Sequence, residues 1–300
     1  MDSSGEDVRS RDEQAEPAPF LKWAGGKRQL LEQFERYFPA PGTYGVYHEP
    51  FLGGGAVFFH LLPARAVLSD LNPELVEAYQ VVRDDVEGVI RRLRGFRNEE
   101  EFYYEVRGRD PQALTPPERV ARMLYLNRTC FNGLYRLNSS GRFNVPFGRY
   151  RLPRICQTAS LRAASRALAG VELRVQPFEA VLDSAQPGDL VYLDPPYQGV
   201  SDSANHRYCQ GIQRDDFVYA LDDLNRRGIP YLVSYDGRTG DKVHGQALPD
   251  ELNLLRLELP VGRSSQATLL GKDEATVESL YLSEQLAVPI PDSSFRAGRR

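Results

Sequence analysis

The sequence is poor in residues that staple or metallate a fold. Its 300 residues include three cysteines, Cys130, Cys156 and Cys209, far apart and outside any metal-ligand spacing, and its four histidines (His48, His60, His206, His244) do not cluster. A disulfide framework and a structural zinc are therefore not expected, and a reducing cytoplasm is the expected compartment. No run of 18 apolar residues occurs, so no helical membrane span is expected. The N-terminus, MDSSGEDVRSRDEQAEPAP, has no apolar core and is not a secretory signal. It reads as a disordered tail over 1–17, with a flexible tail over 289–300. Acidic residues are missing from Arg119 to Val171, a stretch that holds ten arginines. The net charge of −4 is thus unevenly spread, and this segment can still grip a polyanion, because counterion release depends on local contacts.

Hydrophobic residues make up 41% of the chain and charged residues 26%, enough for a sizeable core. Leu30, Leu31, Phe34 and Phe38 share one helical face. A strand over 44–51 runs into Gly53-Gly54-Gly55. A helix over 56–62 follows, then a strand over 66–69 closed by Asp70. Asn72-Pro73 starts the next helix. Strand, glycine loop, helix, strand and acid open a doubly wound nucleotide-binding sheet. Residues 84–128 are charged and helical, and residues 129–154 read as loop and hairpin. The α/β pattern returns with strands over 171–175, 190–193 and 231–234, a helix over 215–227, and two late strands over 254–259 and 277–282. The expected architecture is one α/β catalytic domain, 18–83 plus 170–288, with an inserted basic domain over 84–169.

Two motifs carry chemistry. Glu49-Pro50-Phe51-Leu52-Gly53-Gly54-Gly55 puts glycines after a strand, where backbone can approach a ligand. Asp70, ending the next strand, is placed to accept ribose hydroxyls. The pair indicates an adenosine-bearing cofactor, and the glycines do not follow G-x-G-x-x-G, which disfavours NAD and an oxidoreductase. The second motif, Asp194-Pro195-Pro196-Tyr197, follows the apolar strand Leu190-Val191-Tyr192-Leu193. The lone pair of an adenine N6 is delocalised into the ring. A carboxylate and a fixed carbonyl accepting both N6 hydrogens would free it. Prolines offer no N–H, and a tyrosine can stack on an extruded base.

Phe20-Leu21-Lys22-Trp23-Ala24-Gly25-Gly26-Lys27, the Phe51–Gly55 loop, Asp70 and Asp194–Tyr197, in this order, resemble the Dam-like, D12-class adenine-N6 DNA methyltransferases of the α group. Leu126-Asn127-Arg128, Phe131–Arg136 and Phe143–Tyr150 resemble the DNA-contacting segment of that family. The resemblance covers about residues 20–285. It implies a Rossmann-like S-adenosylmethionine-dependent methyltransferase sheet with an inserted, mostly helical target-recognition domain. Trp23, Lys27, Phe51, Gly53, Gly55, Asp70, Phe178 and Asp194 would line the S-adenosyl-L-methionine site. Asp194, Pro195, Pro196 and Tyr197 would act on the flipped adenine. Arg128, Arg142, Arg149, Arg151 and Arg154 would contact phosphates, Arg136 would read a guanine, and Asn132, Leu134, Pro146 and Tyr150 would sit near the bases.

The family pattern suggests a GATC-like site in double-stranded DNA, serving restriction–modification, with a cognate endonuclease, or housekeeping methylation. A monomer suffices for such a reaction, with a dimer left open. Residues 198–215 and 236–250 depart from the GATC pattern. Glutamine methylators use Asn-Pro-Pro-Tyr, cytosine-N4 enzymes more often begin the loop with Ser, and a non-catalytic relative would have lost one of Lys27, Asp70, Asp194 or Tyr197.

Overall fold

In the computed structural model, residues 15–23, 25, 27, 30–196, 212–240, 242–263 and 275–287 are described. Tyr197, residues 198–211, most of the N-terminal tail and the C-terminal tail lie outside them. Among the described residues, eight strands form one sheet. They are β1 (Tyr47–Glu49), β2 (Ala66–Asp70), β3 (Glu172–Val175), β4 (Leu190–Leu193), β5 (Tyr231–Thr239), β6 (Lys242–His244), β7 (Leu255–Arg263) and β8 (Ala275–Leu282). Their order is β3-β2-β1-β4-β5-β8-β7, with β6 paired to β5. The pairs among β3, β2, β1, β4 and β5 are parallel, and β8 enters antiparallel between β5 and β7. Every residue of β1 and β4 is buried. Interior parallel strands are covered on both faces, which is why Leu190–Leu193 reads as an unbroken apolar run.

The strand order reverses its direction of travel between the parallel neighbours β1 and β4, with β2 and β3 added on one side and β4 and β5 on the other, and the loops leaving their C-terminal ends part there. Open α/β sheets bind ligands at such a point. Local chemistry fixes the flanking helices. The Asn72 side chain accepts the N–H groups of Glu74 and Leu75 and caps α3 (Pro73–Asp84), with Pro73 in its first turn. The shorter helices α1 (Leu31–Phe34) and α2 (Ala56–Leu61) precede it. Leu30, Leu31, Phe34 and Phe38 are all buried, and the helix they were expected to define tightens into a 3-10 turn after Phe34.

Segment 84–169 holds α4 (Val86–Arg94), α5 (Glu100–Gly108), α6 (Pro116–Thr129) and α7 (Thr158–Leu168). Helix α6 starts at a capping box in which the Glu118 carboxylate accepts the Thr115 N–H at 3.0 Å. Residues 130–157 carry no regular element beyond a 3-10 turn and two single bridges, Cys130 with Phe147 and Leu137 with Phe143. The apolar side chains of α4–α7 join those of β1, β2 and α3 in one continuous core. A second cluster lies around α8 (Phe178–Ser184), α9 (Arg214–Arg226) and the outer faces of β4 and β5. Among the described residues no helix is long and apolar enough to cross a membrane.

Candidate active site and nucleic-acid interface

The C-terminal ends of β1, β2 and β4 deliver Glu49, Asp70 and Asp194 to one edge of the sheet. Glu49 is 2% exposed, accepts the Tyr47 hydroxyl at 2.8 Å and takes the Phe58 N–H in the first turn of α2. It therefore supplies the cap that Gly55, without a side chain, does not. Burial raises the Glu49 carboxyl to about 8, against the Tyr47 hydrogen bond and with the Asp194 charge adding to the rise.

Asp194 lies 3.1 Å from the ammonium of Lys27, which is itself only 4% exposed and lies 3.0 Å from Glu278 on β8. Burial raises the Asp194 carboxyl to about 6, Lys27 pulls it down, and Glu278 pushes it up again. A buried ammonium needs anions around it, and here two carboxylates 84 positions apart in the sequence share one cation.

The glycine loop is built around close approach. Gly53 and Gly55 have φ of 47° and 65°, a region open to glycine at no steric cost. A Cβ on Gly53 would meet the Trp23 ring at 3.1 Å, and one on Gly55 would meet the Tyr79 hydroxyl at 2.9 Å. The Asp70 carboxylate ties the loop to the next turn by accepting the Gly53 N–H at 3.1 Å and the Asn72 N–H at 2.9 Å. Burial raises the Asp70 carboxyl against those bonds. The rings of Phe51 and Phe178 lie 5.5 Å apart beyond the loop. A carboxylate at a strand end, a glycine turn and two aromatic rings form a donor set that suits an adenosine-bearing cofactor, so the residues expected to hold such a group fit it.

The structure brings Trp23, Lys27, Phe51, Gly53, Gly55, Asp70, Phe178 and Asp194 to this edge of the sheet. Trp23 also packs on Tyr135 of the loop segment, with ring centroids 5.2 Å apart. Asn127 links the two regions from within α6. It is 1% exposed, accepts the Lys22 N–H at 2.8 Å, and donates to the carbonyls of Lys22 at 2.8 Å and Gly133 at 3.0 Å.

The basic segment divides into two sets. Arg119 pairs with Glu77, Arg162 with Glu87, and the buried Arg122 donates to the carbonyls of Val106 and Arg107. Arg128, expected at a phosphate, is half-buried and donates to the carbonyls of Phe20 and Arg154 and to the Gln157 side chain. These contacts engage it in holding the N-terminal segment against α6. Arg136, Arg142, Arg149, Arg151 and Arg154 are exposed, as are Asn132, Leu134 and Pro146, with Tyr150 half-buried. Phe131 and Leu152, also exposed, add apolar surface to the same loops. Asn132 stands at φ 54°, and Gly133 at 63°, in a turn wedged against Lys22. Arg136 donates through Nε to the Asn144 side chain at 2.8 Å, which orients its guanidinium. Arg149 pairs with Glu100 at 3.3 Å.

Local sequence pattern marks Asn127 only as part of a motif and gives no role to Glu49, Tyr79 or Glu278. Glu49 could have been found from its place at the strand end before the glycine loop. Glu278 had no local signal, since only the sheet register places it.

An open, mostly parallel sheet with the antiparallel β8 inserted beside its edge, and a glycine loop, strand-end acid and Asp-Pro-Pro turn at one edge, define the Rossmann-like methyltransferase class. Within that class, the D12 class N6 adenine-specific DNA methyltransferase family matches residues 23–260, and the chain belongs to this family. It is 40% identical over 243 residues to the type II methyltransferase M.MjaIII of Methanocaldococcus jannaschii, covering 73% of this chain and 84% of that protein. It is 35% identical over 276 residues to the type II methyltransferase M1.LlaDCHI of Lactococcus lactis subsp. cremoris, covering 88% and 95%. The DNA adenine methylase of Escherichia coli K12 is 36% identical over 224 residues, covering 72% and 79%. The chain is accordingly an adenine-specific DNA methyltransferase.

Proposed function

We propose that the chain transfers a methyl group from S-adenosylmethionine to N6 of an adenine extruded from a short site in duplex DNA. The observation that carries this reading is the Asp194 carboxylate at the β1/β4 switch point, engaged on one oxygen by Lys27. When bound, the cofactor supplies a methyl group on a positively charged sulfur. The chain's residues would do the rest. Asp70 would hold the ribose hydroxyls, Phe51, Gly53 and Gly55 would shape the methionine end, Phe178 would border the cofactor adenine, and Trp23 and Lys27 would line the pocket from the N-terminal segment.

Asp194, through Oδ2, and the Pro195 carbonyl would accept the two N6 hydrogens, which frees the nitrogen lone pair. The acceptors are prearranged, so little reorganisation accompanies the charge that builds on N6. Pro196 stiffens the turn, and Tyr197, outside the described residues, would stack on the target base. The proton that N6 sheds passes to Asp194.

In this reading residues 18–83 plus 170–288 form the catalytic domain and 84–169 the target-recognition insert. Exposed Arg142, Arg149, Arg151 and Arg154 meet phosphates. Arg136, oriented by Asn144, reads a guanine, and Asn132, Leu134, Pro146 and Tyr150 lie near the bases. The family resemblance makes a GATC-like site the expectation, and relatives named as type II methyltransferases and as DNA adenine methylases are in keeping with either a restriction–modification or a housekeeping role. A monomer acting on DNA in the cytoplasm meets these needs.

Asp194→Ala is expected to lower methyl transfer to adenine-containing duplexes by at least about 10³-fold while leaving cofactor affinity within a small factor. Retention of transfer from tritiated cofactor would overturn the assignment.

A further inference from the structure

We propose that Glu278 is a positioning residue of the methyl-transfer site. It holds Lys27 against one oxygen of Asp194, so that the other oxygen stays available to the amino group of the target base. The inference rests on the proposed reaction and adds a residue from the far end of the chain.

The placement of Glu278 is built into the backbone. Strand β8 runs antiparallel to β5, with Glu278 opposite Gly237, just past the register shift between Ser234 and Gly237. A Cβ on residue 237 would lie 2.5 Å from the Val277 carbonyl and 3.3 Å from the Glu278 Cα. Glycine is therefore what lets β8 come this close to β5 at that point. Strand β4 lies on the other side of β5, paired from Val191–Tyr231 to Leu193–Val233, and Asp194 is the next residue. Register and bulge together carry Glu278 across β5 to the ammonium that also touches Asp194.

The charges explain why a second carboxylate is useful. The charged groups acting on Asp194 are Lys27 from the N-terminal segment and Glu278 from β8, while Asp194 in turn raises the buried Glu49 and Tyr192 on β1 and β4. With Asp194 alone, an ammonium this buried would draw both carboxylate oxygens and neutralise the acceptor. Glu278 takes part of its bonding capacity at 3.0 Å, against 3.1 Å for Asp194 Oδ1. The Lys27-centred group of three keeps a net negative charge where positive charge will develop on N6. The side chain of Glu278 is 19% exposed, so its own charge costs less than that of a fully buried acid.

The test compares wild type with Glu278→Gln and Glu278→Asp, using the full chain. In Glu278→Gln, kcat is expected to fall on the order of 10- to 100-fold with KM for DNA and cofactor little changed. Loss of the neighbouring negative charge favours the Asp194 carboxylate, so the acid limb of kcat moves to lower pH. The same shift is read without turnover from the ¹³C resonance of the Asp194 carboxyl, assigned by its disappearance in Asp194→Asn.

Glu278→Asp keeps the charge and shortens the reach. It is expected to restore the titration midpoint while recovering only part of kcat, and it carries the test should Glu278→Gln fail to fold. Wild-type kcat and an unchanged Asp194 midpoint in Glu278→Gln would overturn the proposal and leave the ion pair a tie between β8 and the N-terminal segment. Failure of wild type to methylate adenine in any duplex would overturn the reaction reading instead, and the carboxyl titration would still decide whether Glu278 acts on Asp194.

Discussion

At the scale of single residues, the two carboxylates at the ends of β1 and β4 sit in unlike surroundings. Glu49 is enclosed and held up to about 8, whereas Asp194 is partly open and balanced by Lys27 near 6. The folded state thus keeps a proton on Glu49 that the unfolded chain releases above its ordinary value of 4.5. Stability from this residue falls as pH rises from that value to about 8, and levels off beyond. Glu49→Gln imitates the protonated form. The difference in unfolding free energy between variant and wild type is expected to move in the variant's favour across this window, by an amount on the order of a few kcal/mol, as read from urea unfolding at a series of pH values.

Arg136 offers a second test at this scale. Its guanidinium is oriented by Asn144, and a bidentate contact to guanine carries about 1–3 kcal/mol of discrimination. Arg136→Ala is expected to narrow the difference in kcat/KM between the preferred duplex and its single-base variants. An equal loss on every duplex would make Arg136 a phosphate contact.

At the scale of elements, the segment before the glycine loop is held from two sides. Trp23 lies over Gly53 and Gly54, while Asn127 and Arg128 of α6 bond the backbone at Lys22 and Phe20. Asn127→Ala would leave the Lys22 amide and carbonyl and the Gly133 carbonyl without this partner. A cost of about 1–3 kcal/mol for each buried group left unsatisfied predicts a lower melting temperature, and the slackened Trp23 cover predicts a higher KM for the cofactor. A fall in melting temperature with an unchanged KM would separate the two effects.

Elements were the most legible level in the sequence. The apolar run of β4, the Asn72-Pro73 start of α3 and the two late strands follow from alternation and capping that act within a few residues. Three features did not. The 3-10 turn after Phe34, the bonds of Arg128 to Phe20 and Arg154, and the arrival of Glu278 beside Lys27 all depend on contacts between distant segments, which local pattern does not encode.

At the scale of the whole molecule, a chain of net charge −4 presents exposed arginines on the loops of 130–157. Four of the ten arginines between 119 and 171 are committed inside the fold, as Arg119, Arg122, Arg128 and Arg162, so the charge count of the sequence overstates the basic surface. Replacing Arg149, Arg151 and Arg154 together by Ala is expected to lower the slope of log K against log salt by about 0.9 for each phosphate no longer neutralised, with similar weakening on all duplexes. Titration of labelled duplex by fluorescence anisotropy at several salt concentrations measures it.

The order of strands in the sheet has a further consequence for how the molecule is made. Lys27 comes from the beginning of the chain, Asp194 from beyond its middle, and Glu278 from the last strand, which enters between β5 and β7. Synthesis delivers these parts in that sequence, and domains tend to fold from the N-terminus as they emerge. A nascent chain can bury most of its core and expose its arginines before β8 arrives, but it cannot assemble the three charges. The charge cluster therefore forms only once β8 has been made, so a nascent or truncated copy that binds DNA without β8 would still lack Glu278.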